Sequence, residues 1–338
     1  MQSLKAAIGI TATLALTTPV LAQEVNVYSS RHYDSDNALY EEFTDKTGIS
    51  VNRIEADADE LIARLTAEGA NSPADVFITV DVGRMARAEE AGVLQAFTSE
   101  SIKDRVPAHL RHPDDLWFGL SQRARIIFYA KDRVETPPQT YEELADPKWQ
   151  GKVCIRSSSN VYNQSLLASL IEANGAEAAK DWAAGVVANM ARPPQGGDTD
   201  QLRGIVSGEC DVVVANNYYF LRGFDGDVDG LTSGIEGIGW VWPNQDGRGA
   251  HVNLAVAAMT AAAPHPDEAT ALLEFLTGDF AQTQFARDNH EYPAVEGVAG
   301  DEGTARLGTF KADTTTNTSA FSRNAAEAQA IFNQVGWN

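Results

Sequence analysis

Apolar and polar positions follow two rhythms along the chain. Val25-Asn26-Val27-Tyr28 alternates every second residue, as a half-buried strand does. Residues 37–46 then place Leu39, Tyr40 and Phe43 on one helical face, with Gly48 as the stop. Residues 49–54 read as a strand. Asp59 is placed to cap a helix carrying Leu61, Ile62 and Leu65, ended by Gly69. Residues 74–80 (ADVFITV) are the next strand and residues 84–91 the next helix, stopped at Gly92. This β-α-β-α-β-α order predicts a mainly parallel sheet with helices on both faces.

A second series begins near Phe118. Residues 124–129 (ARIIFY) predict a strand, and Pro137-Pro138 with residues 140–151 a turn-rich stretch around a short helix. Residues 153–156 predict a strand, 164–173 and 176–190 two helices. Asp198 or Thr199 is placed to cap another helix running to Val206. Residues 211–215 and 254–259 read as buried strands, and residues 266–276 as an amphipathic helix with Pro266 in its first turn. The expectation is two α/β lobes, with late segments crossing back between them.

Residues 1–22, MQSLKAAIGITATLALTTPVLA, break this pattern. Lys5 is the only charge, an apolar run too short to span a bilayer follows, and small residues end it, which is the signature of a secretory leader. No cysteine follows to suggest a lipid anchor. The chain of 338 residues carries 26 Lys+Arg against 47 Asp+Glu, a net charge of −21. Phosphate contacts need a basic face, so nucleic acid is not an expected partner. Cys154 and Cys210 are the two cysteines. Two thiols in an oxidising compartment usually pair, and each lies near a predicted strand of the second series. A two-cysteine metal site is the competing reading, without a CxxC or a nearby histidine to support it.

GxSxG, HExxH, the P-loop and a strand-following GxGxxG are all missing, so no catalytic activity is expected. The six histidines are scattered. The acidic run 55–60 reads as a solvated helix start. Tyrosines stand out more. Tyr33 follows the first strand in Ser29-Ser30-Arg31-His32-Tyr33. Tyr162 follows the 153–156 strand, and the tandem Tyr218-Tyr219 follows the 211–215 strand. Open α/β sheets bind ligands outside the carboxyl ends of their strands. Three distant segments therefore deliver phenols to one crevice. Phenolate is a hard, anionic oxygen donor suited to a hard trivalent cation, whereas zinc favours Cys and His, and calcium carboxylates and carbonyls. Four phenolates around Fe³⁺ leave one negative charge, which Arg123, Arg125 or Arg222 could offset. His32, beside Tyr33, could add a fifth donor as neutral imidazole. The same tyrosines could instead line a sugar or peptide groove, or simply hydrogen-bond in a core.

These segments resemble the extracytoplasmic ferric-iron-binding proteins of ABC importers, the FutA/IdiA/FbpA group of the type II periplasmic solute-binding family. The resemblance rests on NVYSSRHYDSD, EADADELIARLTAEGANSPADVFITVDVGR, TYEELADPKWQGKVCIRSSSNVYNQSLLAS, ECDVVVANNYYFLRG and NHEYPAV. It implies a two-lobed α/β fold with the ligand in the interlobe cleft, residues 23–118 plus 244–295 forming one lobe and 119–243 plus 296–338 the other. It implies His32, Tyr33, Tyr162, Tyr218 and Tyr219 as ligands of transported Fe³⁺, His32 varying in role across the group, and Arg123 as a cation behind them. It further implies a periplasmic monomer that hands iron to an inner-membrane ABC permease. Rival expectations are a receptor of the same fold for a polyamine or thiamine, using Trp117, Trp240 and Trp242, and a secreted hydrolase with a nucleophile among Ser157 to Ser159.

Overall fold

The computed structural model describes residues 23–31 and 33–338. The predicted leader at residues 1–22 and the candidate ligand His32 both lie outside the described residues.

Among the described residues, nine strands form the sheet: β1 Glu24–Ser29, β2 Ser50–Glu55, β3 Val76–Val80, β4 Phe118–Ala130, β5 Val153–Cys154, β6 Val212–Asn216, β7 Ile238–Val241, β8 Val252–Met259 and β9 Tyr292–Pro293. Their order is β2-β1-β3-β8-β4-β6-β5, and β7 and β9 also pair with β4. The opening β-α-β-α-β series builds the parallel trio β2-β1-β3, as its alternation predicts. The whole sheet is mixed rather than mainly parallel. β8 runs antiparallel to both β3 and β4, and β4 antiparallel to β6, β7 and β9. The antiparallel pairs come from the two strands that carry the chain between the halves of the sheet.

β4 is the central element. Phe118 to Ala124 pair with β8, and Arg125 to Tyr129 pair with β6, so one strand passes from one half of the sheet into the other. Strand alternation sends Ala124, Ile126, Phe128 and Ala130 into one apolar cluster and Ile127 into the other. β6 divides in the same way, Val212 and Val214 against Val213 and Ala215. Strands buried on both faces read as unbroken apolar runs, which is why both were visible in the sequence. Burying one Ile or Phe of such a strand contributes about 1.5–3 kcal/mol.

Cys154 in β5 and Cys210, just ahead of β6, form a disulfide with Cα atoms 5.7 Å apart. It joins two adjacent strands of the second half, as the sequence suggests. The neighbouring helix Asp198–Ser207 carries Gly204 at this point. A Cβ on Gly204 would lie 2.5 Å from the Cys210 sulfur, so the helix packs on the bridge only because that position has no side chain. Among the described residues, no helix is long and apolar enough to cross a membrane.

Candidate metal centre

Each phenol leaves the carboxyl end of a strand. Tyr33 sits just past β1. Tyr162 stands in the first turn of the helix Val161–Asn174, where the Asn160 side chain accepts from the Tyr162 backbone N–H at 3.1 Å and caps the helix. That helix starts three residues before its apolar periodicity does, because the cap rather than the period sets its beginning. Tyr218 and Tyr219 fall in the first turn of the helix Asn217–Asp225, which follows β6 without a loop. Asn217 anchors this turn: its Oδ1 accepts from the Ala124 N–H of β4 at 2.9 Å, and its Nδ2 donates to the His290 carbonyl at 2.6 Å.

The four rings meet. The Tyr218 hydroxyl donates to the Tyr162 hydroxyl at 3.3 Å, and the Tyr218 and Tyr219 ring centroids are 4.4 Å apart. The Arg222 guanidinium lies 4.9 Å from the centroid of Tyr218, 5.8 Å from that of Tyr219 and 5.9 Å from that of Tyr33, so three rings share one cation. A cavity of about 550 Å³ opens beside Tyr33 and Tyr162. Asp57, Asp59 and Glu60 of the acidic run help to line it, so that run faces the cleft although its pattern suggested plain solvent.

Burial raises the pKa of Tyr33, Tyr162 and Tyr218. Next in effect is the nearby Glu291 carboxylate for Tyr33, and neighbouring phenol oxygens for Tyr162 and Tyr218. Without a bound cation these groups are neutral phenols. Two features favour their ionised forms once a cation arrives. Tyr162 and the tandem pair occupy first turns of helices, where the helix dipole favours negative charge. Arginines surround them as well: Arg156 lies 5.2 Å and Arg125 5.9 Å from the Tyr162 ring centroid.

Arg123, the cation expected behind the phenols, is buried. Burial alone would depress its pKa, yet Glu291 and the phenols Tyr218, Tyr33 and Tyr162 hold it above the ordinary value. It pairs with Glu291 at 3.1 Å, and Glu291 also pairs with Arg31 at 3.2 Å. Arg31 binds Asp36 at 2.9 Å and covers the Tyr33 ring at 4.8 Å. Burial works against the Glu291 carboxylate, but Arg31 and Arg123 outweigh it and keep the group below the usual range. On the opposite side, Asp198 is fully buried between Arg125 at 2.8 Å and Arg156 at 3.5 Å. The sequence gives no role to Arg31, Glu291 or Arg156, and Asp198, expected there as a helix cap, is instead the first helical residue after the N-cap Gly197. The 260 residues between Arg31 and Glu291 leave no local pattern. Glu291 itself lies in the segment NHEYPAV, residues 289–295.

The donor set is phenolic. Among the described residues, the one trio of His, Cys and carboxylate ligand atoms close enough to share an ion is Cys154, Glu209 and Cys210, and both sulfurs are taken by the disulfide. The tryptophans needed by an organic-cation receptor are packed elsewhere. Trp117 is 2% exposed against His112, Trp240 packs on Phe220, and Trp242 stacks on Phe310 at 3.9 Å. Ser157 and Ser159 bond to each other at 3.0 Å rather than to a base.

The family model for bacterial extracellular solute-binding proteins matches residues 71–307. The chain belongs to this family. Within it, the chain is 49% identical to Iron uptake protein A1 of Synechocystis, over 95% of this chain and 89% of that protein. Its fold superposes with a TM-score of 0.91 on the Trichodesmium FutA (IdiA) structure in complex with iron and citrate, at 47% identity over 93% of this chain and all of that one. Apo FutA2 from Synechocystis gives a TM-score of 0.89 at 44% identity, over 94% of this chain and all of the other. These relatives are binding proteins of the two-lobed type II periplasmic fold.

Proposed function

We propose that this chain is an exported solute-binding protein that captures ferric iron and supplies it to an ABC permease for uptake. Tyr33, Tyr162, Tyr218 and Tyr219 are the phenolate ligands in this reading, with His32 as a further donor beside Tyr33. Arg123, Arg222 and Arg156 offset the negative charge that four phenolates leave on a trivalent ion. Tyr33 belongs to the lobe of residues 23–118 plus 244–295, and the other three phenols to the lobe of residues 119–243 plus 296–338. Closure about β4 and β8 joins them. The protein acts as a monomer in the periplasm after loss of residues 1–22, and no covalent chemistry takes place.

The observation that carries this reading is the meeting of four phenols from three separate segments, three of them over the Arg222 guanidinium and Tyr162 joined through the Tyr218 hydroxyl, in a chain whose relatives are named for iron uptake and ferric binding. Calorimetric competition tests it. Ferric iron, supplied as its nitrilotriacetate complex, should bind one equivalent and be undisturbed by spermidine or thiamine. Binding of either amine with ferric iron ignored would refute it in favour of the organic-cation receptor.

A further inference from the structure

Asp81 stands between β3 and the helix Val82–Glu90, with φ 76° and ψ 125°. Residues with a side chain rarely occupy that region, and those that do are held by surrounding structure and concentrate at functional sites. The carboxylate is fully buried and every bond it makes is identifiable. Oδ1 accepts from the Gly83 N–H at 2.8 Å and from the Ser165 hydroxyl at 2.7 Å, and Oδ2 accepts from Asn253 Nδ2 at 2.9 Å. Gly83 and Asn253 lie in the same lobe as Asp81. Ser165 lies across the cleft, on the helix that presents Tyr162 and one turn beyond it.

The surroundings fit a contact made on closure. A Cβ on Gly83 would lie 3.2 Å from Val161 Cγ2, so the two helices approach here as closely as a missing side chain allows. The contact also reaches the arginine behind the phenols. The Asp81 N–H donates to the Leu254 carbonyl at 2.7 Å, and Arg123 Nη1 donates to the same oxygen at 3.1 Å.

We propose that Asp81 and Ser165 are a positioning pair that latches the Tyr162 helix onto the opposite lobe and so sets how long the closed cleft holds its ion. The proposal rests on the ferric-binding reading of the cleft. Of the three bonds to the Asp81 carboxylate, opening breaks only that from Ser165, while Gly83 and Asn253 keep the group in place. The energy of one charge-assisted bond across the cleft is thereby reserved for the closed state.

Ser165→Ala removes the crossing donor and leaves the cap of Val82–Glu90 intact. Ser169→Ala is the control, because the Ser169 hydroxyl is also buried on that helix but donates at 2.7 Å to Leu166 within it. Loaded with ferric iron and challenged with a competing chelator, Ser165→Ala should release iron about tenfold faster than Ser169→Ala, the worth of one hydrogen bond to a charged group. Its iron absorption spectrum should match the control's. Equal release rates would overturn the latch. If the wild type takes up no ferric iron, the functional reading fails separately. The latch is then decided by spin-label distances between the lobes of the ligand-free protein. Ser165→Ala should show longer distances than Ser169→Ala, and identical distributions would overturn it.

Discussion

Replacing Tyr218 with Phe should lower by one the number of protons released when the protein takes up a ferric ion. Tyr33, Tyr162 and Tyr218 all have pKa values above that of an ordinary phenol, burial being the largest cause. An ordinary phenol titrates at about 10, so at pH 7 fewer than about one in a thousand is ionised. A ferric ion that binds these oxygens must therefore displace at least three protons. Linkage sets the sign: the ion binds the deprotonated form, so acid weakens binding and base strengthens it. Three displaced protons change the affinity by three decades per pH unit, about 4 kcal/mol. The assay is a pH-stat titration at pH 7 with ferric nitrilotriacetate, comparing wild type with Tyr33→Phe, Tyr162→Phe and Tyr218→Phe. Subtraction cancels the protons that belong to the iron salt. Each single variant should release one proton fewer. A proton count unchanged in all three would refute phenolate binding.

Glu291→Gln leaves Arg31 and Arg123 without their shared counter-charge and should cost about 3–5 kcal/mol of stability in denaturant unfolding, as breaking a buried pair does. Because the folded protein holds the Glu291 carboxyl below its ordinary range, its stabilising contribution is complete at neutral pH and is lost as the pH falls through the depressed value. Wild type should therefore lose stability on acidification more steeply than Glu291→Gln, read as the urea midpoint against pH. Replacing both Cys154 and Cys210 with Ser opens a loop of sequence separation 56 and should cost up to about 4 kcal/mol, with iron stoichiometry unchanged under native conditions. A variant unable to bind iron while fully folded would show that the bridge shapes the cleft directly.

The legible parts of this molecule were its local ones. The alternation of 25–28, the helical faces of 37–46 and 266–276, and phenols directly after strand ends are all written over a few residues. The direction of β4 and β8 was not. A strand buried on both faces shows no polar alternation, and nothing in LAVAAM records which neighbour it meets or in which sense. The start of the Tyr162 helix was missed because Asn160, a turn residue by composition, acts there as the cap. Tyr218 and Tyr219 could have been loop or first helical turn. The turn is settled by the Asn217 side chain, which ties to Ala124 and His290, two partners far away in sequence. The buried charges follow the same rule. Arg31, Asp36, Glu291 and Arg123 form one network, yet only Arg31 and Asp36 are close along the chain. Asp81 looks like any helix cap until its φ and its bond to Ser165 are seen.

Titration of the protein with ferric iron, followed by visible absorption, decides whether phenolates hold the ion. Phenolate bound to ferric iron absorbs visible light by charge transfer, whereas the free protein does not. A band is expected that saturates at one equivalent in the wild type and is lost or greatly weakened in Tyr218→Phe/Tyr219→Phe. A wild type that binds ferric iron without colour, or a double variant that keeps both band and affinity, would contradict phenolate binding.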